Sequence, residues 1–166
     1  DPAAIARLRK KRSAVQASVA IELARAREKA SRKFEKEIAQ RVVGDCAGVE
    51  MASSTAAARY KASRFVRTLG VGSSVVDLCC GIGGDSIELA RTGLDVVGVD
   101  LDPSRAWMCE RNAEVRTLAC DVLDPSVPDG AFHIDPARRT EDGRRSRDLS
   151  TLQPGPHVWD ELLRSR

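Results

Sequence analysis

Between Val75 and Ala90 the chain reads VVDLCCGIGGDSIELA: a β-type apolar segment, three glycines within four positions, then a helix-forming stretch. A strand that ends in a glycine-rich turn and opens a helix lets a ligand approach the backbone closely and meet free N–H groups. Three more short apolar segments follow, DVVGVDL, VRTLACDV and AFHIDP, separated by helical or turn-rich stretches. Strands alternating with helices predict a parallel sheet with right-handed crossovers, hence an α/β domain. The first crossover helix is expected over Asp85–Thr92. The second is expected over Pro103–Asn112, where Asp102 serves as N-cap and Pro103 is acceptable in the first turn.

Upstream the pattern differs. The first forty residues hold no glycine, and their only proline, Pro2, sits behind Asp1 as an N1 proline sits behind a cap. Val15, Val19 and Leu23, then Phe34, Ile38 and Val42, recur at four-residue steps, which predicts helix with a narrow apolar stripe that needs a partner surface. Gly44 and the run GDCAG end this pattern, so residues 1–44 are read as a basic helical extension and 45–166 as the α/β domain. Ser53 or Ser54 is expected to cap a further helix, AAARYKASRFVRTL, that stops at Gly70. Of the 166 residues, positions 1–41 carry 12 Lys/Arg against 5 Asp/Glu, and the remainder 15 against 19, so the net charge of +3 divides into +7 and −4. A basic arm on a mildly acidic domain fits nucleic-acid binding, and equally a solvated helix face.

The ligand chemistry of the glycine turn follows from its flanks. A phosphate-cradling GxxxxGK[ST] is absent, and Ser86 stands at the third glycine position of the dinucleotide fingerprint GxGxxG. Asp77 and Asp85 flank the turn, where their charges would repel a pyrophosphate and attract a cationic ligand. S-adenosyl-L-methionine, which bears an ammonium and a sulfonium and lacks phosphate, suits such a loop better than NAD.

VVDLCCGIGGD is similar to motif I of class I S-adenosylmethionine-dependent methyltransferases, and its doubled cysteine with GIGGD resembles the branch of trimethylguanosine synthase-like and THUMP-like enzymes. GVDLDP (98–103), ACDV (119–122) and HIDPARR (133–139) resemble that family's later motifs in order and spacing. The resemblance implies a Rossmann-like class I methyltransferase sheet with an N-terminal helical extension, expected to be incomplete after about four of seven strands. It implies cofactor contacts from Asp77, Cys79, Gly81, Ile82, Gly83 and Gly84 in the loop. Asp100 would hold the ribose hydroxyls beside Leu101, since a carboxylate can accept two hydrogen bonds from a diol. Asp121 would accept from the adenine amino group, with the Val122 backbone at a ring nitrogen. Bland roles are also open: Cys79 and Cys80 as small core residues, Asp121 as a turn residue, His133 as a strand residue and Trp107 as packing.

The motif after the fourth strand, Asp135-Pro136-Ala137-Arg138, keeps the acid and first proline of the family's amino-methylating pattern and lacks its second proline and aromatic. Asp135 and Pro136 are therefore the candidates for orienting the acceptor, while Arg138 or Arg139 would meet a phosphate or stack on a base. The expected activity is methylation of an exocyclic amine of an RNA base, with RNA held by the basic helix and the Arg-rich loop. The alternatives are a methyltransferase for a small molecule or protein, with the arm used for packing or oligomerisation, and a cofactor-binding fragment without turnover. Apolar runs too short to cross a bilayer, and five cysteines in no CxxC pair, fit a cytoplasmic protein that binds no metal.

Overall fold

The computed structural model describes residues 2–137 and 148–165. Four parallel strands, β1 (Ser74–Leu78), β2 (Asp95–Asp100), β3 (Arg116–Ala119) and β4 (Ala131–Ile134), form one sheet in the order β3-β2-β1-β4. All four predicted apolar segments thus supply strands, in a Rossmann-like α/β fold. Their ends differ from the apolar runs: the last residues of VVDLC and VRTLACDV turn away from the sheet, Cys79 with φ 62° and Cys120–Val122 in a turn. The crossovers are α6 (Gly84–Arg91) and α7 (Pro103–Ala113). Asp102 caps α7 by accepting from the Ser104 N–H at 2.8 Å.

Register assigns the two faces. Val75 and Asp77 lie opposite Val96 and Gly98 on one side and opposite Ala131 and His133 on the other, so these residues share a face. Helix α5 (Thr55–Leu69) and α6 cover it, with Ala62, Leu89 and Leu94 packed on Val75 and Val96. The opposite face carries Val76, Leu78, Val99, Phe132 and Ile134, and receives Leu162 and Val158 of α8 (Pro156–Ser165). α7 packs closely over Gly98, where a Cβ would lie 3.1 Å from the sulfurs of Cys80 and Cys109.

The N-terminal forty residues are three helices rather than one: α1 (Pro2–Lys11), α2 (Ala14–Ala30) and α3 (Lys36–Arg41). Ser13 makes the first break, because its hydroxyl accepts from the Gln16 N–H while the Gln16 side chain accepts from the Ser13 N–H, the reciprocal box that starts a helix. The four-residue stripe divides accordingly. Val15 and Val19 are 73% and 62% exposed, whereas Phe34, Ile38 and Val42 are buried. The partner surface of these last three is the glycine turn itself, since Ala26, Ala30, Phe34, Ile38, Val42 and Val49 of α4 (Cys46–Met51) form one cluster with Ile82 and Ile87. Residues on both sides of Gly44 share that cluster. Ser54, rather than Ser53, caps α5. Trp107, expected to pack, is 51% exposed.

Because Phe34 is buried against the α/β core, Phe34→Ala should cost about 3 to 5 kcal/mol. Val19→Ala, on the exposed part of the same stripe, should change stability by less than about 0.5 kcal/mol. Urea denaturation of the two variants beside the wild type checks both values.

Candidate functional site

In this strand order β1 is central. The chain winds outward from it through β2 to β3, then returns to β4 on its other side, and the crevice between the carboxyl ends of two such strands is where open α/β sheets bind ligands. A cleft of about 1030 Å³ opens there. It is lined by Asp77, Cys79, Gly81, Ile82, Gly84, Asp100, Leu101, Asp121, Val122, Asp135 and Pro136, which are all the described sequence candidates except Gly83. Gly83 serves the entry to α6 instead, with φ 88°, and a Cβ on it would lie 3.2 Å from Cα of Cys109. Arg138 and Arg139 lie outside the described residues.

The turn holds its shape by bonds from several directions. Asp100 Oδ2 accepts from the Gly81 N–H at 2.8 Å and its Oδ1 from the Asp102 N–H at 3.0 Å, so this carboxylate is already oriented at the cleft edge. The buried Asn112 amide donates to the Ile82 carbonyl and the Val43 carbonyl, both at 2.8 Å, and its oxygen accepts from the Val43 N–H. Asn112 therefore ties the turn to the segment before α4. In front of it, α4 and the residues that follow, from Gly48 to Ser53, form a wall of the cleft. A Cβ on Gly48 would stand 2.3 Å from an Arg105 guanidinium nitrogen and 2.6 Å from Ile82, so only glycine fits. Asp121 Oδ1 accepts from the Leu123 N–H at 2.9 Å, the turn role considered for it, while the residue still lines the cleft.

The electrostatic reading of the flanking carboxylates needs correction. Asp77 is 1% exposed and accepts a short hydrogen bond from Ser86, the residue at the departing glycine position. Burial pushes its carboxyl up to about 6, with His133 and Ser86 opposing. Asp85 is paired: its Oδ2 lies 2.8 Å from Lys61 Nζ, 2.9 Å from Ser53 Oγ and 3.3 Å from His133 Nε2. Burial works to raise the Asp85 carboxyl, but His133 and Lys61 outweigh it and hold the group below its usual range. Its Oδ1 is buried with no hydrogen-bond donor among the described residues. Asp85 is thus paired inside the protein and Asp77 is buried on a hydroxyl, and the further carboxylates that line this part of the cleft are Asp100 and Asp121.

Lys61, Ser53 and Asn112 were missed in the sequence. Each sits in a helical or turn segment where a polar residue reads as solvent-facing, and only the packing of distant segments turns it inward. His133, read as a strand residue, is one, and its ring meets Phe65 edge-on at 6.2 Å, but it also belongs to the polar group at the cleft. Asp85, His133 and Asp135 each offer a ligand atom within 4.8 Å of one another, the spacing of a small metal centre. The Lys61 ammonium occupies that space, 3.2 Å from Asp135 Oδ2 and 3.5 Å from His133 Nε2. Cys79 lines the cleft but is not primed for attack, since burial, then Asp100, push its thiol up to about 12. Cys80 is buried: a hydrogen bond with the Cys109 thiol and burial raise its own thiol far out of the reactive range.

Residues 72–127, from β1 through β3, match the family of RNA cap guanine-N2 methyltransferases. An uncharacterized S-adenosylmethionine-dependent methyltransferase of Mycobacterium tuberculosis is 35% identical over 112 residues, covering 64% of this chain and 30% of the relative. A putative ribosomal RNA large subunit methyltransferase of Methanocaldococcus jannaschii is 35% identical over 96 residues, 58% of this chain and 23% of the relative. A 23S rRNA (uracil(747)-C(5))-methyltransferase of Pyrococcus horikoshii is 31% identical over 93 residues, 52% of this chain and 22% of the relative. The chain spans less than a third of the length of each of these three proteins. Among the described residues no helix is long and apolar enough to cross a membrane.

The raised Asp77 carboxyl gives a signed pH dependence. A folded value near 6 against 3.8 for the free side chain means that folding takes up a proton, so this group favours the fold fully below pH 3.8 and ceases to as pH rises through about 6. Asp77→Asn keeps the acceptor for Ser86 and removes the buried charge. It should leave stability near that of the wild type at pH 4 and exceed it by on the order of 2 kcal/mol at pH 8, read by urea denaturation.

Proposed function

We propose that this chain is the cofactor-binding part of an S-adenosylmethionine-dependent methyltransferase that acts on RNA, with an exocyclic amine of a base as the acceptor. The observation that carries this reading is that one cleft gathers the glycine turn, Asp100 and Asp135-Pro136. The donor set fits the cofactor. Asp100 and Asp121 supply acceptors for a ribose diol and an adenine amine, and the cleft has the volume of a small-molecule site. Gly81 and Gly84 line the cleft and put no side chain between the backbone and a ligand.

The bound cofactor supplies a methyl group on a sulfonium, which transfers in one displacement, and the protein's work is positioning and charge placement. Asp135 is suited to receive the acceptor. One of its oxygens, Oδ2, is held by Lys61, and its side chain is 39% exposed at the cleft, so Oδ1 can accept from an amine N–H. Pro136, next in the chain, stiffens the backbone there. Arg138 and Arg139 are assigned to the phosphate or base of the acceptor. RNA as the substrate is supported by the matched family and by the two ribosomal RNA methyltransferases among the relatives. It is supported also by α1, which carries Arg7, Arg9, Lys10 and Lys11 and buries none of its residues, leaving those cations free to meet phosphates. The five unpaired thiols suit a reducing cytoplasm.

Calorimetric titration should show binding of S-adenosylmethionine and none of NAD. Asp100→Ala should weaken binding by about 1.5 to 3 kcal/mol, or roughly 10- to 150-fold, because it removes the diol acceptor and frees Gly81. With tritiated cofactor, label should enter RNA at a base amine, found by nucleoside digestion. RNA affinity should fall steeply with salt, and removing residues 1–12 should flatten that dependence without unfolding the protein. NAD binding alone, or label found only in small molecules or protein, would overturn the reading.

A further inference from the structure

Behind three residues that line the cleft, Ser53, Asp85 and Asp135, stands a charged side chain to which the proposed chemistry gives no role of its own. Lys61 lies in α5, before the glycine turn in sequence, and its side chain is 27% exposed. An ammonium has three N–H donors. Here three oxygens surround it: Asp85 Oδ2 at 2.8 Å, Ser53 Oγ at 2.9 Å and Asp135 Oδ2 at 3.2 Å. Every donor has an acceptor, and those acceptors come from three parts of the chain. Asp85 opens α6, Ser53 belongs to the wall that packs on Gly84, and Asp135 follows β4.

We propose that Lys61 is a positioning residue for methyl transfer, its ammonium fixing Oδ2 of Asp135 so that Oδ1 is presented to the acceptor at a set distance from the glycine turn. The assignment rests on the reading of Asp135 given above. A carboxylate at the end of a strand turns freely about its side-chain bonds, and an acceptor bound by a turning group reaches the methyl donor in the right geometry only part of the time. Holding one oxygen removes that freedom while leaving the other available. Lys61 also registers Asp135 against the cofactor side, because the same ammonium holds Asp85 in the first turn of α6. A base role does not fit: burial lowers the Lys61 ammonium, but Asp85 and Asp135 more than reverse this and keep it protonated. Nor would arginine reproduce the arrangement, since its planar fork cannot point donors at three oxygens around one nitrogen.

Two measurements on the full chain test the assignment. In lysine-selective 15N NMR, a clamped ammonium exchanges slowly with water, so the wild type should show one protected Nζ signal, lost in Lys61→Met and displaced in Asp135→Asn. In the tritium transfer assay, Lys61→Met should bind S-adenosylmethionine as the wild type does and lose kcat by about 100-fold, the scale of a misplaced reacting group. Lys61→Arg, which keeps the charge and guards against loss of fold, should likewise bind S-adenosylmethionine as the wild type does and recover only part of kcat. The proposal is overturned if the Lys61 signal is unprotected or indifferent to Asp135→Asn, or if Lys61→Met transfers methyl groups at the wild-type rate. If the wild type labels no RNA while the signal still responds to Asp135→Asn, the RNA reading falls and the clamp stands on the spectroscopy.

Discussion

The burial of two carboxylates beside a glycine turn is the constraint from which the arrangement of the molecule follows. Asp77 and Asp85 both lie against the sheet, almost out of reach of water. An unmatched charge in such a place is costly enough to be neutralised or to unfold its surroundings. The protein matches each acid differently. Asp77 takes a hydroxyl from Ser86 within the same strand-turn-helix unit, whereas Asp85 draws on Lys61 and Ser53 from ahead of β1 and on His133 from β4. The first solution is local. The second obliges α5 and β4 to come together over the turn, and that convergence makes the cleft.

The helices before β1 are bound up in the same requirement. Their buried residues meet Ile82 and Ile87, and Asn112 links Val43 to the turn from the far side. A strand-turn-helix unit with three glycines has little side-chain substance of its own at the bend, so its apolar residue, Ile82, must be covered by something else. The N-terminal helices cover it. What reads as an appendage in charge and composition is, from Ala26 onward, part of the core beneath the ligand site, while α1 buries none of its residues and Val15 and Val19 at the start of α2 are exposed.

How much of this was legible follows from the range of the interactions. The strands, both crossover helices and the caps at Ser54 and Asp102 depend on residues within a few positions of one another, and period and punctuation report them well. The cleft candidates were legible through motif resemblance, since Asp77, Asp100, Asp121 and Asp135 each lie near the carboxyl end of a strand or just beyond it, and the sheet order brings those ends together. The charges were misread because a sequence displays acids without their partners: Lys61 is 24 positions from Asp85 and 74 from Asp135. The four-residue stripe was misread for a related reason. Val15 and Phe34 have the same pattern around them, and only the position of Ile82 in space decides which one is covered.

The Asn112 bridge has a kinetic meaning. A single buried amide holds a carbonyl of the cleft floor and both backbone groups of Val43 behind the cleft wall, so floor and wall are one rigid piece. A ligand then meets a floor and a wall that already hold their shape relative to one another. Association in such a groove is governed by diffusion and orientation, and differences in affinity among ligands are expressed in how long each one stays.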